Sequence, residues 1–368
     1  MKSTAAALSL ASIASLLLPD SVTAFFQPGA STTARILDST KYAARTRSTI
    51  GSNRRSRRSA AAGEIVRMAV DGSAPERSAL ALDETSDGLP RGPAGAIKLT
   101  YLESNSWMCQ VNGLNLLVDP FFGTLDFGIP LLIQARKKVL SDSDRVTREL
   151  AAVTDFLIIT QGFDDHCHPS TLKALAGLLD PSVRIVAPPS AAAVLEEFFP
   201  ASRVTYLLPG QSTVLSGGGR AVEIKATTGA NIGPPWQQKE NGYIVRPAAA
   251  PGGTEKVPDG GTLYFEPHLM FDEAELSKLR ADVVIAPVVQ QSVGPFPLVC
   301  GGAKALDLAS TLSASKLATM ANADGDFTGP LRKVVTSTGS VEEFLEIAKA
   351  KDVTVVVPEP AKSFNIWP

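Results

Sequence analysis

The residue types most able to do chemistry gather in one short stretch, Asp164-Asp165-His166-Cys167-His168, and the remaining histidine, His268, follows Glu266-Pro267 far along the chain. Three histidines in all exclude any mechanism that needs four or five imidazole ligands. The cysteines Cys109, Cys167 and Cys300 are odd in number and far apart, so a disulfide framework is not expected and no C-x-x-C metal knuckle exists. Cys167 as a nucleophile would need a neighbouring base and an oxyanion hole, and neither is legible. Glu266 suits either an acid–base role or a surface salt bridge. Gly301-Gly302 offers backbone N–H groups to a phosphate, but without a Walker lysine a turn is the plainer reading. The 164–168 stretch has its plain reading too: carboxylates that cap a strand end and the next helix, beside ordinary polar histidines.

These residues need elements to hold them. Strand alternation runs through Ile97 to Leu102 and Trp107 to Val111, and the Asn112-Gly113 turn leads into Leu114 to Val118, an antiparallel meander. A helix around Val146 to Ala152 precedes the buried strand Phe156 to Ile159. Ser170 to Leu179 reads as a helix with Ser170 as its N-cap. Further strand–helix units follow, then a second meander from Ser212 to Ala226, strands at Gly242, Thr262 and Val283, and two late strand–helix units around Ala303 to Leu317 and Val341 to Val357. The Pro- and Gly-rich stretch from Pro247 to Gly261 is expected to be an exposed insertion. Two sheets in the middle with helices outside is the architecture this order suggests.

The opening meander, closing on Leu117-Val118-Asp119-Pro120-Phe121, resembles the start of metallo-beta-lactamase-fold hydrolases, nearest the ascorbate-6-phosphate-lactonase-like branch. The resemblance spans about Ile97 to Asp324 and implies a four-layer αββα sandwich of the metallo-beta-lactamase type. In that branch the next strand ends in Thr-His-x-His-x-Asp-His, which binds two metal ions. Here the stretch is Thr160-Gln161-Gly162-Phe163-Asp164-Asp165-His166, so the first two histidines are Gln161 and Phe163. The family's metal-bridging Asp falls on His268, and its two later histidines are missing near Thr227-Thr228-Gly229 and Met320-Ala321-Asn322.

What the resemblance leaves is Asp165, His166 and His268 on the second metal's side, enough ligands for one zinc or other divalent ion with open positions. His168 would be a fourth ligand or an outer partner, and Asp164 could orient a histidine. The alternative is a metal-free polar loop. Trp236, in Gly233-Pro234-Pro235-Trp236-Gln237, lies where the branch has a substrate-facing loop, and it either stacks on a ligand or packs. Two functions are therefore expected as alternatives. One is a metal-dependent hydrolase of a small ester, lactone or phosphoester, with Asp165 and His166 catalytic. The other is a non-catalytic descendant of the fold, a small-ligand-binding or scaffold protein using Trp236 and Tyr243.

Composition sets the outer bounds. Of the 368 residues 44% are hydrophobic and 20% charged, ordinary globular usage, and the net charge of -2 gives no global pull toward nucleic acid or anionic membrane. The charge is unevenly spread: residues 1–68 hold ten basic and three acidic residues, which leaves an acidic remainder. An apolar run from Ala5 to Leu18, too short for a stable span, precedes Ser21-Val22-Thr23-Ala24-Phe25-Phe26 and an Arg/Ser/Thr stretch. This resembles the bipartite presequences of complex plastids, with a processing site in Val66-Arg67-Met68-Ala69. The expected organisation is a presequence over 1–68, a flexible lead-in over 69–95 and the folded domain over 96–368. The expected location is the plastid stroma, with no stable membrane span in the mature protein. An ordinary secreted protein with a basic linker is the competing reading.

Overall fold

The computed structural model describes residues 64–67 and 92–368, except 128, 232–238, 251–256, 258 and 323–324. The expected presequence up to residue 63 and most of the lead-in lie outside the described residues, as do residues 251–256 and 258 of the 247–261 insertion.

Period-two burial builds the molecule. In Leu114–Val118, Leu116 and Val118 enter one apolar cluster while Leu117, between them, enters another. Val283–Pro287 repeats this, with Val283 and Ile285 on one face and Val284 and Ala286 on the other. Strands buried on both faces read as unbroken apolar runs, which is why these segments show no polar alternation in the sequence.

The inner faces belong to two sheets. One has seven strands in the order Ser363–Trp367, Ile97–Tyr101, Trp107–Val111, Leu114–Val118, Phe156–Ile158, Arg184–Ala187, Val204–Tyr206. The other has eight, with Leu263–Phe265 between Asn241–Ala248 and Val283–Pro287. Their facing side chains form one cluster that joins Leu99 and Val118 to Ile224, Val283 and Val356. The outer face of the first sheet is covered by helices Ser143–Val153, Pro169–Ala176 and Ala192–Phe198, through Val146, Leu150, Leu172 and Leu195. Helices Ala303–Leu312 and Val341–Ala348 cover the second through Leu308, Leu312 and Phe344. The result is a four-layer αββα sandwich of the metallo-beta-lactamase type.

Three local expectations change. The helix after the 164–168 stretch is capped by His168 rather than Ser170, because Pro169 takes the first helical position, where its fixed φ and missing N–H cost nothing. Ile65–Arg67, assigned above to the presequence, pairs in parallel with Thr354–Val357 at the edge of the eight-stranded sheet. Two small sheets were not foreseen: Gln134–Arg136 with Asp326–Thr328, and Gln290–Val293 between Phe296–Val299 and Val335–Thr338. They stand over the strand ends that carry His166 and His268. No helix among the described residues is long and apolar enough to cross a membrane.

Candidate functional site

Strand Phe156–Ile158 delivers the chain to Thr160, and a turn in which His166 and Cys167 both donate their N–H to the Phe163 carbonyl folds His166 back under the strand end. His166 is fully buried. Its Nδ1 lies 2.8 Å from Asp119 Oδ2. Asp119 ends strand Leu114–Val118 and is itself fully buried, at a positive φ of 44°. The same carboxylate accepts the Thr160 backbone N–H at 2.7 Å and the Thr160 hydroxyl at 2.5 Å. Three donors converging on one carboxylate offset much of the cost of burying it. The hydrogen-bonded Nδ1 in turn fixes which imidazole nitrogen faces the cleft.

His268 arrives from the other sheet, just past Leu263–Phe265. Its Nδ1 lies 2.6 Å from the Leu298 carbonyl, which can only accept, so Nδ1 carries the proton. The two Nε2 atoms therefore face one another across the sheets, 3.1 Å apart, with Asp165 Oδ2 3.3 Å from the first. Asn105 Nδ2 donates to Asp165 Oδ2 at 3.2 Å and lies 3.1 Å from His166 Nε2. Asn322 Nδ2 donates to Asn105 Oδ1 and to the Pro267 carbonyl, both at 2.9 Å, tying the two loops together.

Two imidazole lone pairs at that separation repel unless a proton or a cation lies between them. In the metal-free protein the proton goes to His166. Burial opposes its charge, but Asp165 and Asp119 overcome burial and raise its pKa to about 10. Burial and the His166 charge together lower His268 to about 4. The neighbouring carboxylates part company. Burial alone would raise Asp165, yet His166 holds it at about 2. Burial pushes Glu266 up to about 7, although its Oε2 accepts the Met270 and His268 backbone N–H groups.

The donor chemistry can be tested against the metal the fold implies. Two ligands each 2.0–2.1 Å from one tetrahedral zinc stand about 3.3–3.4 Å apart, so the paired Nε2 atoms suit a single ion. Each ring's other nitrogen is tied to an acceptor, as metal-binding histidines require. Among the described residues no group of three or more His, Cys, Asp or Glu side chains is placed to hold a metal ion. The two facing imidazoles are the donors a single ion could use, with Asp165 Oδ2 3.3 Å from His166 Nε2. Gln161, a neutral amide, and Phe163, which has no donor atom, offer little to a second ion.

Other expected residues separate from this pair. His168 is not a ligand: its Nδ1 lies 2.8 Å from Thr171 Oγ1 and its Nε2 3.2 Å from the Thr124 carbonyl, so both nitrogens are engaged away from the cluster. It fastens the 121–124 segment to the helix it caps, and burial lowers its pKa. Tyr243 is not a ligand-facing residue. It is buried between the sheets, its hydroxyl donating to the Ile159 carbonyl and accepting from Asn241 Nδ2, both at 3.0 Å. Trp236 lies outside the described residues. Burial pushes the Cys167 thiol well up, the opposite of an activated nucleophile. Asp119 was missed as a site residue, although a carboxylate directly ending a buried strand was a usable signal. Asn105 and Asn322 gave none, being polar loop residues of ordinary type.

Residues 98–321 match the family described as beta-lactamase superfamily domain, well over half of the chain. The protein belongs to that family, with the metallo-beta-lactamase fold. Among solved structures, a Veillonella parvula protein titled a "possible metal-dependent hydrolase" matches at 16% identity and TM-score 0.50, covering 74% of this chain and 100% of that one. Igni18, a metallo hydrolase from Ignicoccus hospitalis, matches at 16% identity and TM-score 0.47, covering 74% and 98%. The first likeness supports the fold alone. No curated protein matches.

Proposed function

We propose that this protein is a metal-dependent hydrolase of a small ester, lactone or phosphoester that works with one divalent ion, zinc being the natural candidate, in the manner of the ascorbate-6-phosphate-lactonase-like branch. One observation carries the reading: the facing Nε2 atoms of His166 and His268, 3.1 Å apart, each on a ring whose other nitrogen is already tied to an acceptor. A bound divalent ion would lower the pKa of a water and polarise a carbonyl or phosphoryl oxygen. The chain's own residues do the rest. His166, His268 and Asp165 would hold the ion, Asp119 orients His166, and Asn105 with Asn322 keeps Asp165 and the His268 loop in register. Glu266, poised near neutrality, can hold or release a proton beside the His268 backbone.

Elemental analysis of protein purified without a polyhistidine tag tests this. About one divalent ion per chain is expected, and a chain that stays metal-free in added zinc would overturn the proposal. The carboxylates that raise the His166 pKa, and the lack among the described residues of a group of three or more side chains placed to hold a metal, favour a second reading: a non-catalytic descendant that binds a small ligand.

The proposed location is the plastid, on the strength of the basic, acid-poor head and the Ala24-Phe25 junction. Cleavage at Met68–Ala69 would remove the edge strand Ile65–Arg67 and bare Thr354–Val357. N-terminal sequencing of native protein decides between that junction and one upstream of Glu64, and a chain beginning at Met1 would defeat plastid import.

A further inference from the structure

His268 and Asp165, beside the fully buried His166, line a cleft of about 860 Å³. Its size suits an organic ligand of some length rather than an inorganic ion. The floor is polar: Asn105, Asp165, His268 and Asn322. One wall is apolar, built from Phe121, Leu125, Phe127 and Phe327. Those four pack with Ala135 into a small core of their own, separate from the sandwich, so the wall is a rigid surface and not a loose loop. It is carried by the strand pair Gln134–Arg136 and Asp326–Thr328, one of the two small sheets added above the strand ends.

The same additions supply charge. Arg136, Lys138, Arg332 and Lys333 all line the cleft and are exposed. Among the described lining residues the carboxylates are Asp165 on the floor and Asp326, which is paired in register with Arg136. Among the described lining residues cations thus outnumber carboxylates, and all four cations are exposed. Arg332 and Lys333 belong to the turn Pro330–Lys333, which follows directly on Asp326–Thr328, the strand paired with Gln134–Arg136. A chain of acidic overall balance that concentrates four cations around an apolar wall has placed them against its own bulk charge.

We propose that the cleft takes an anionic amphiphile: an apolar alkyl or aromatic body along the Phe127–Phe327 wall, with a carboxylate or phosphate held at the basic mouth. This names a substrate class for the hydrolase proposed above and rests on that reading for the position of the reacting bond, which falls at the floor. The anion is then remote from the bond that breaks, so it serves recognition rather than chemistry. Arg136 and Arg332 can fork onto a carboxylate or phosphate, while Lys138 and Lys333 act as point charges.

Titration calorimetry on the full chain as purified, with octyl phosphate, octanoate, 1-octanol and inorganic phosphate, tests this. Both anionic octyl probes are expected to bind at least about tenfold tighter than octanol and than inorganic phosphate. A preference between the two supports the proposal and assigns the head group. The double variant Arg332→Ala/Lys333→Ala should weaken both anions by about tenfold and leave octanol unchanged, and raised salt should do the same to the wild type. Octanol binding as tightly as the anions, or inorganic phosphate matching octyl phosphate, overturns it. So does a double variant with an unchanged melting temperature that binds the anions as the wild type does. Turnover of activated esters on the same preparation separates the two proposals. Hydrolysis without charge discrimination removes the ligand class alone, whereas discriminating binding without any hydrolysis removes the hydrolase alone.

Discussion

Two halves of one strand-end cluster have opposite character. On the His166–His268 side the ring nitrogens all have neighbours, down to the Asp119 carboxylate with its three donors. On the other side, Gln161 is fully buried and neither atom of its amide finds a hydrogen-bond partner among the described residues. Glu240 Oε1 and Glu266 Oε1 are in the same condition. Ser190 donates to the other oxygen of Glu240 at 2.6 Å, and burial still raises that carboxyl to about 7. Where the family has imidazoles for a first metal, this chain has not substituted a tidy apolar plug. It keeps an amide and acids that hold their protons near neutrality, a polar space whose groups pay desolvation individually. The side that carries the histidines is organised around one charge; the side with Gln161 and Glu240 is polar without an organising charge.

Breaking the organised side should produce the largest effects. Replacing His166 by Ala is expected to abolish metal retention in elemental analysis and to lower any hydrolysis more than about 100-fold. It also leaves Asp119 buried without its cationic partner, which should cost about 3 kcal/mol in denaturant unfolding. Undiminished metal in that variant would show that the ligands are misassigned.

Asp119→Asn keeps the shape and removes the charge that orients His166. A fall in metal affinity of about 10- to 100-fold is expected. An unchanged affinity in competition with a chelating dye would reduce Asp119 to a structural strand end.

The disorganised side should answer to pH. Glu240 has an unfolded value near 4.5 and a folded value near 7. Between them the native state binds a proton that the unfolded chain has released, so stability falls as pH rises across this window and the loss is complete above it. Glu240→Gln retains an acceptor for Ser190 and removes the titration. It should therefore gain on the wild type as pH rises from 5 to 8, by up to about 3 kcal/mol. Parallel pH–stability curves for the two proteins would contradict the raised value.

The smallest effect sharpens the contrast most directly. Gln161→Met exchanges the unpartnered amide for an apolar chain of similar length and should stabilise the fold by about 1–2 kcal/mol while leaving metal content as it was. A destabilised variant would mean that the amide is satisfied after all, and a changed metal content would bring Gln161 into the ligand set.

The sequence by itself determined the layers. Unbroken apolar runs such as Val283-Val-Ile-Ala286 identify strands buried on both faces, and the order of meanders and strand–helix units admits few architectures. It also sets His166, Asp165 and His268 apart from Gln161 and Phe163, because these differ as residue types alone. Only the tertiary structure decided roles. His168 and His166 are two residues apart and chemically identical, yet the turn closed on the Phe163 carbonyl sends one to the cluster and the helix start sends the other to Thr171 and Thr124. Tyr243 sits on a strand whose register turns it between the sheets. Asp119, Asn105 and Asn322 meet across separations that no local pattern records. The cleft walls come from two small sheets whose strands are too short to show a period. Residue type sets what a side chain can do, but distance sets whether it does it, and distance between remote segments is a property of packing.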